Sequence, residues 1–258
     1  FFDKTYVCLG TNISSRMKNQ VLTTVNQCLL NGEVTVSDAD GIHPQEQGSR
    51  MKKEVRWVVH DKVGYYFLKK ENVILSNQRI EGSWKIANRQ TTTPTDIIRQ
   101  DVFTLSVDHG RSPNNGDYAY MVIPSADPLS IEKQVEEEGV VILANCPEVQ
   151  AVRHDGLNMA YAAFYKGGTL RIHDKIVVEM DSPGMLMVKY NDAGEILALG
   201  VSDPTRFMKK LHLSVNQKIV GAVQENIQTE WDEKQALIRI TVDLPQNEYA
   251  GKSVIYNK

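Results

Sequence analysis

The chain has 258 residues, 41% of them hydrophobic, with 29 lysines and arginines against 32 aspartates and glutamates. That length holds one large domain or two ordinary ones, and that apolar share is enough to build a core. A net charge of −3 gives no sign of the strongly basic face of a nucleic-acid binder, no run reaches the roughly 18 apolar residues of a membrane helix, and three cysteines (Cys8, Cys28, Cys146) are too few for a disulfide scaffold.

Phe1 is not a methionine, and no charged or apolar leader precedes the first strand, so the sequence reads as a piece of something longer. Residues 5–9 (TYVCL) predict that strand. Residues 11–19 read as a polar loop, where Asn12-Ile13-Ser14 is a formal glycosylation triplet of little weight. Residues 21–30 predict a second strand. Asn31-Gly32 then predicts a hairpin to residues 33–36, because both central positions of a type I′ turn need positive φ. Cys8 and Cys28 fall on segments that can be neighbouring strands, which leaves open a bridge or free buried thiols.

Residues 38–53 are polar, lack periodicity and read as a long loop. Its His43, Arg50, Lys52 and Lys53 suit two readings, cations offered over a groove to an anionic ligand or ordinary solvated charges. Residues 56–89 follow as a series of strands: 56–60, a turn at 61–64, an aromatic strand at 63–68, a short one at 72–75, and 79–86 alternating around Trp84. Trp57, Trp84 and Trp231 are the residues that would stack on sugar rings. Each alternates within or beside a strand, which favours core packing for all three.

Residues 90–95 form a connector broken by Pro94. Strands at 101–107 and 118–123 are separated by turn residues at 108–111 and 113–116. Asp108 beside His109 lacks a nucleophile or metal partner and reads as structural. Residues 127–138 predict the one clear helix, with Asp127 as N-cap, Pro128 at the first helical position and Gly139 at the end; its closing glutamates read as a solvated face. A strand at 140–143 precedes Pro147. Beyond it, short strands at 148–154, 159–164, 169–172, 175–179, 185–190, 195–199, 211–215, 236–242 and 253–256 recur with turn signals between them.

The expected fold is therefore all-β: an antiparallel β-sandwich over residues 1–146 and a small β-sandwich over 147–258. No phosphate loop, dinucleotide fingerprint, nucleophile elbow or paired C-x-x-C occurs, and the six histidines are scattered. The residues alone name no catalytic, substrate-binding or metal site and no cofactor.

Three segments carry a resemblance: FFDKTYVCLG, VLTTVNQCLLNGEVTV and WVVHDKVGYYFL, in this order and spacing. They resemble the central β-region of the polysaccharide lyases that cleave chondroitin, hyaluronan and xanthan. From about Glu148, EVQAVRHDG and LMVKYNDAGEILALGVSDPT are similar to that family's small C-terminal β-domain. The look is that of a bacterial chondroitin AC lyase. The resemblance implies a secreted or periplasmic enzyme that degrades acidic polysaccharides such as chondroitin sulfate and hyaluronan by β-elimination. It implies that the first sandwich is the C-terminal part of a larger one, and that an N-terminal α/α-toroid is the partner across the substrate cleft. The asparagine, tyrosine, histidine and arginine of that chemistry belong to the toroid, so no catalytic residue is carried over. The chain then supplies cleft wall and support and is inactive alone. A stand-alone carbohydrate-binding module and a purely structural β-domain are the alternatives.

Overall fold

The computed structural model describes residues 1–219 and 225–257. The chain forms two compact units, Phe1–Ile131 and Glu132–Lys258.

The first unit is one antiparallel sheet of eight strands. They are β1 (Tyr6–Ile13), β2 (Gln20–Leu29), β3 (Val34–Asp38), β4 (Gly41–Pro44), β5 (Gly48–His60), β6 (Val63–Gly82), β7 (Ile98–Arg111) and β8 (Gly116–Pro124), with a helical turn, α1 (Trp84–Ala87), between β6 and β7. The order is β1-β8-β6-β5-β3-β4, and β2 joins through β7 to β6. β6 is 20 residues long because three predicted pieces are one continuous strand. Residues 63–67 pair with β8, and residues 73–82 pair with β7. Alternation buries Tyr65, Phe67, Val73 and Leu75 against Phe103, Leu105, Val107 and Tyr120. Fully burying side chains of this size stabilises by about 1.5–3 kcal/mol each.

The helix α2 spans Ile131–Glu138. The second unit carries β9 (Val140–Asn145), β10 (Val149–His154), β11 (Met159–Phe164), β12 (Gly168–His173), β13 (Ile176–Met180), β14 (Gly184–Tyr190), β15 (Ile196–Ser202), β16 (Lys210–Val215), β17 (Ile227–Asp232), β18 (Leu237–Asp243) and β19 (Val254–Asn257). They form a six-stranded sheet, β19-β15-β14-β11-β10-β9, and a five-stranded one, β12-β13-β16-β18-β17. One apolar core runs through both, including Phe164, Ile172, Met180, Leu186, Leu211 and Ile240. The unit division falls at the start of α2, whereas strand spacing in the sequence places the boundary near residue 147.

Several local expectations are corrected. Asn31-Gly32 joins no hairpin: β2 pairs with β7, β3 pairs with β5 and β4, and only Gly32 of the two has positive φ. The type I′-like connection is Asp61-Lys62, with φ of 47° and 63°, which closes His60 onto Val63. Residues 38–53 are not a loop but hold β4 and the first half of β5. Those strands are exposed on both faces, so they show no hydrophobic period. Residues 108–111 continue β7 rather than turn. The strand expected around Trp84 ends at Gly82, and Ser83 caps a helical turn through its hydroxyl, which accepts from the Lys85 N–H. Asp127–Ser130 is a turn, so the helix begins four residues late. Glu138 at its end is not simply solvated: its Oε2 accepts from His154 Nε2 at 2.6 Å. β17 was not expected at all.

Asp203 is a buried carboxylate in the β15–β16 connection. It accepts from the backbone N–H groups of Thr205, Phe207 and Met208 and from the Thr205 hydroxyl. Burial alone would raise its pKa, but these bonds outweigh it and hold the carboxyl below its usual range. Asp203→Ala should cost about 2–3 kcal/mol in urea unfolding, because buried donors lose their acceptor. The folded pKa is lowered, so this stabilisation is complete above the unfolded value of about 3.9 and lost as pH falls through the folded value. The wild type should therefore lose more stability than the variant on acidification below about pH 4.

Candidate functional site

The segment rich in cations makes a hollow. β3 and β4 form a tight hairpin with Asp38 opposite Gly41 and Val36 opposite His43. The start of β5 folds beside it. His43, Pro44, Gln45, Glu46, Arg50 and Lys52 line a surface hollow of about 420 Å³, within the range of small-ligand sites.

Asp38 is its anchor, its side chain only 3% exposed. Oδ1 accepts from the Asp40 N–H at 2.9 Å and from His43 Nε2 at 3.1 Å, and Oδ2 lies 3.1 Å from Lys52 Nζ. Burial would raise this carboxyl; the bonds from Asp40, His43 and Lys52 outweigh it and lower its pKa. The other ring nitrogen of His43 lies 3.1 Å from the Pro44 carbonyl, so both ring nitrogens face oxygen atoms. Gln45 is 6% exposed and donates from Nε2 to the Glu46 carbonyl, while its own carbonyl accepts from Asn77 Nδ2. Its Oε1 has no hydrogen-bond partner among the described residues. Arg50 meets Glu46 at 2.6 Å in an exposed pair. Such pairs are worth little, so an anionic ligand can replace Glu46 at small cost. The hollow offers donors and one exchangeable cation, which suits binding rather than bond cleavage.

The other polar groups are arranged against chemistry. Asp108 and His109 are strand neighbours and turn to opposite faces. Asp108 accepts from Gln20, and His109 lies 2.8 Å from the Thr23 hydroxyl. Burial lowers the His109 pKa. Where β6 changes partner, Lys69 bridges Asp117 and Glu71. Burial raises the Glu71 carboxyl. No bond links the His109 ring to this group.

The cysteines are free and half-buried, not fully buried, and Cys8 and Cys28 are unbridged. Cys28 Sγ lies 3.7 Å from His60 Nδ1. The Asn31 N–H donates to Nε2 of that ring at 3.0 Å, so the neutral ring carries its proton on Nδ1. Burial raises the Cys28 thiol and lowers the His60 imidazole, the reverse of an activated thiolate. Burial also pushes Tyr65 up to about 12 and raises Tyr120, the wrong direction for a base at neutral pH.

Of the three tryptophans, Trp57 is buried, and Trp231 is half-buried against the core with Lys218 Nζ 5.4 Å from its ring centroid. Trp84 is 61% exposed, which corrects the expectation of core packing for that residue. Its neighbours give the reason: β6 ends two residues before it, and the helical turn holds no buried residue.

Two domain descriptions of polysaccharide lyase family 8 match the chain, the super-sandwich domain over residues 1–135 and the C-terminal beta-sandwich domain over residues 141–212. The chain belongs to polysaccharide lyase family 8. It is 32% identical over 254 residues to chondroitinase-AC of Pedobacter heparinus, covering 98% of the chain and 33% of that protein. It is 29% identical over 255 residues to a hyaluronate lyase of Thermasporomyces composti, covering 96% and 31%. A solved chondroitinase AC lyase superposes with a TM-score of 0.81 at 33% identity, covering 99% of this chain and 35% of that one. A Paenibacillus xanthan lyase shares the fold at a TM-score of 0.83 and 21% identity, covering 99% and 25%. The chain thus spans about a third of the length of the first of these relatives.

Asp38→Ala should destabilise the first unit by about 2 kcal/mol in urea unfolding, because Lys52 loses its buried counter-charge and the Asp40 N–H and His43 lose their acceptor. Arg50→Ala, which breaks only an exposed pair, should change stability by less than about 0.5 kcal/mol in the same measurement.

Proposed function

We propose that the chain is the non-catalytic β-portion of a glycosaminoglycan lyase of the chondroitin AC type. It supplies one wall of the substrate cleft and the support behind it. An N-terminal α/α-toroid on the rest of the enzyme carries the groups that perform β-elimination. The observation that carries this reading is the match over 98% of the chain to a chondroitinase-AC of which it spans only 33%. The polar groups add to it. Cys28, His60, Tyr65 and Tyr120 are all shifted away from reactivity, and the hollow at His43–Lys52 offers contacts to an anion.

The ligand of the hollow is an acidic polysaccharide, chondroitin sulfate or hyaluronan. Arg50 meets a uronate carboxylate or a sulfate in place of Glu46. A polysaccharide substrate is met outside the cytoplasm, which supports an enzyme of the periplasm or the medium. A stand-alone module that stacks sugars on tryptophans is disfavoured, because Trp57 is buried and Trp231 half-buried, which leaves Trp84 alone of the three exposed.

The test is the variant Arg50→Glu of the longer enzyme, titrated with a chondroitin oligosaccharide by calorimetry. Arg50 is exposed, so the fold is kept. Affinity should fall about tenfold, as expected when a charge contact becomes a repulsion. Unchanged affinity would remove the hollow from the cleft wall.

A further inference from the structure

Beyond the body of the first sheet, β6 and β7 run on as a ribbon. β5 leaves β6 after Asn77, and β2 leaves β7 after Val102, so residues 79–82 pair only with residues 98–101. A bare two-stranded ribbon is marginal in water. The two faces of this one differ. On one face Arg79 meets Asp101 and Arg99 meets Glu81 across the strands. On the other, Ile80 and Ile98 lie beside Leu29 and Trp84, all exposed, around an apolar hollow of about 350 Å³. Ile86 and Ile97 extend the exposed apolar surface around the loop. Contiguous apolar surface of this kind marks an interaction site.

We infer that this ribbon face docks onto the part of the enzyme that the chain does not span, and that Trp84 and Ile80 are its anchors. The inference rests on the reading of the chain as one portion of a longer lyase. A saccharide is the poorer occupant, because the lining is mainly apolar: Glu81, Ser83 and Gln100 are its polar side chains, and hydroxyls laid over Leu29, Ile80, Ala87, Ile98 and Val102 would be buried unpaired at a cost. A protein surface of matching apolar character meets no such penalty. The choice between a second copy and the remaining polypeptide follows from concentration. Relatives are about three times as long as the stretch they share with this chain. A partner on the same polypeptide is present at an effective concentration near millimolar, far above that of a second copy in dilute solution. Docking also supplies the cover that the two-stranded ribbon lacks, while the ion pairs keep its outer face solvated.

The test mixes the 258-residue chain with the two thirds of Pedobacter heparinus chondroitinase-AC that it does not match, and reads amide hydrogen exchange. Exchange at residues 79–82 and 98–101 should slow by at least about tenfold on mixing. The variant Trp84→Ser with Ile80→Ser, both residues exposed, should keep the melting temperature of the chain and bind at least about tenfold more weakly. If the two parts bind with protection elsewhere and the variant binds as well as wild type, the docking face is wrong and the lyase reading stands. If no complex forms and no unsaturated uronate appears from chondroitin in the mixture, both fall. Protection of the ribbon in the chain alone that is lost on dilution would make a second copy the occupant and overturn the inference.

Discussion

The backbone groups of a 20-residue strand need hydrogen-bond partners, another strand or solvent, along both edges. β6 meets that constraint by sharing. β5 follows one edge from Val63 to Asn77 with bulges, while the other edge is taken first by β8 and then by β7. Between Phe67 and Val73 the second edge has no paired partner, and Lys69, Lys70, Glu71 and Asn72 fill the gap with polar side chains. The partner change splays β7 away from β8. Both notable surfaces of the unit follow. β5, paired with the far half of β6, carries Arg50 and Lys52 to the β3–β4 hairpin and forms the hollow. β6 and β7 continue past their other neighbours and form the apolar ribbon.

Alternation made the interior strands legible. β11 falls on the predicted residues 159–164, and β14 lies within one residue of its prediction, because each buries every second side chain. The edge strands were not legible. β4 and the first half of β5 are exposed on both faces, so residues 38–53 carry no period and read as loop. Asn31-Gly32 misled because turn chemistry is local, whereas the partners of β2 and β3 are set by contacts far along the chain. Trp84 misled because tryptophan is usually packed, and nothing in SWKIAN says that the sheet has already ended. The candidate hollow was visible only as a run of cations. That Asp38 holds His43 and Lys52, and that Gln45 is locked beneath, depends on three segments meeting in space.

The electrostatic pattern is that of a scaffold. Burial drives Tyr65, Cys28 and His60 toward their neutral forms, so they stabilise the sheet without offering a proton or a nucleophile at neutral pH. Charges that remain ionised are paired, as Asp38 is with Lys52, or lie on exposed strands.

The most direct measurement is the ultraviolet absorbance of the unsaturated uronate that β-elimination forms from chondroitin. The chain alone should produce none, and the chain mixed with the unmatched portion of a chondroitinase-AC should produce it steadily. Product from the chain alone would contradict the account, because it would require a base among strands whose titratable side chains are arranged for stability.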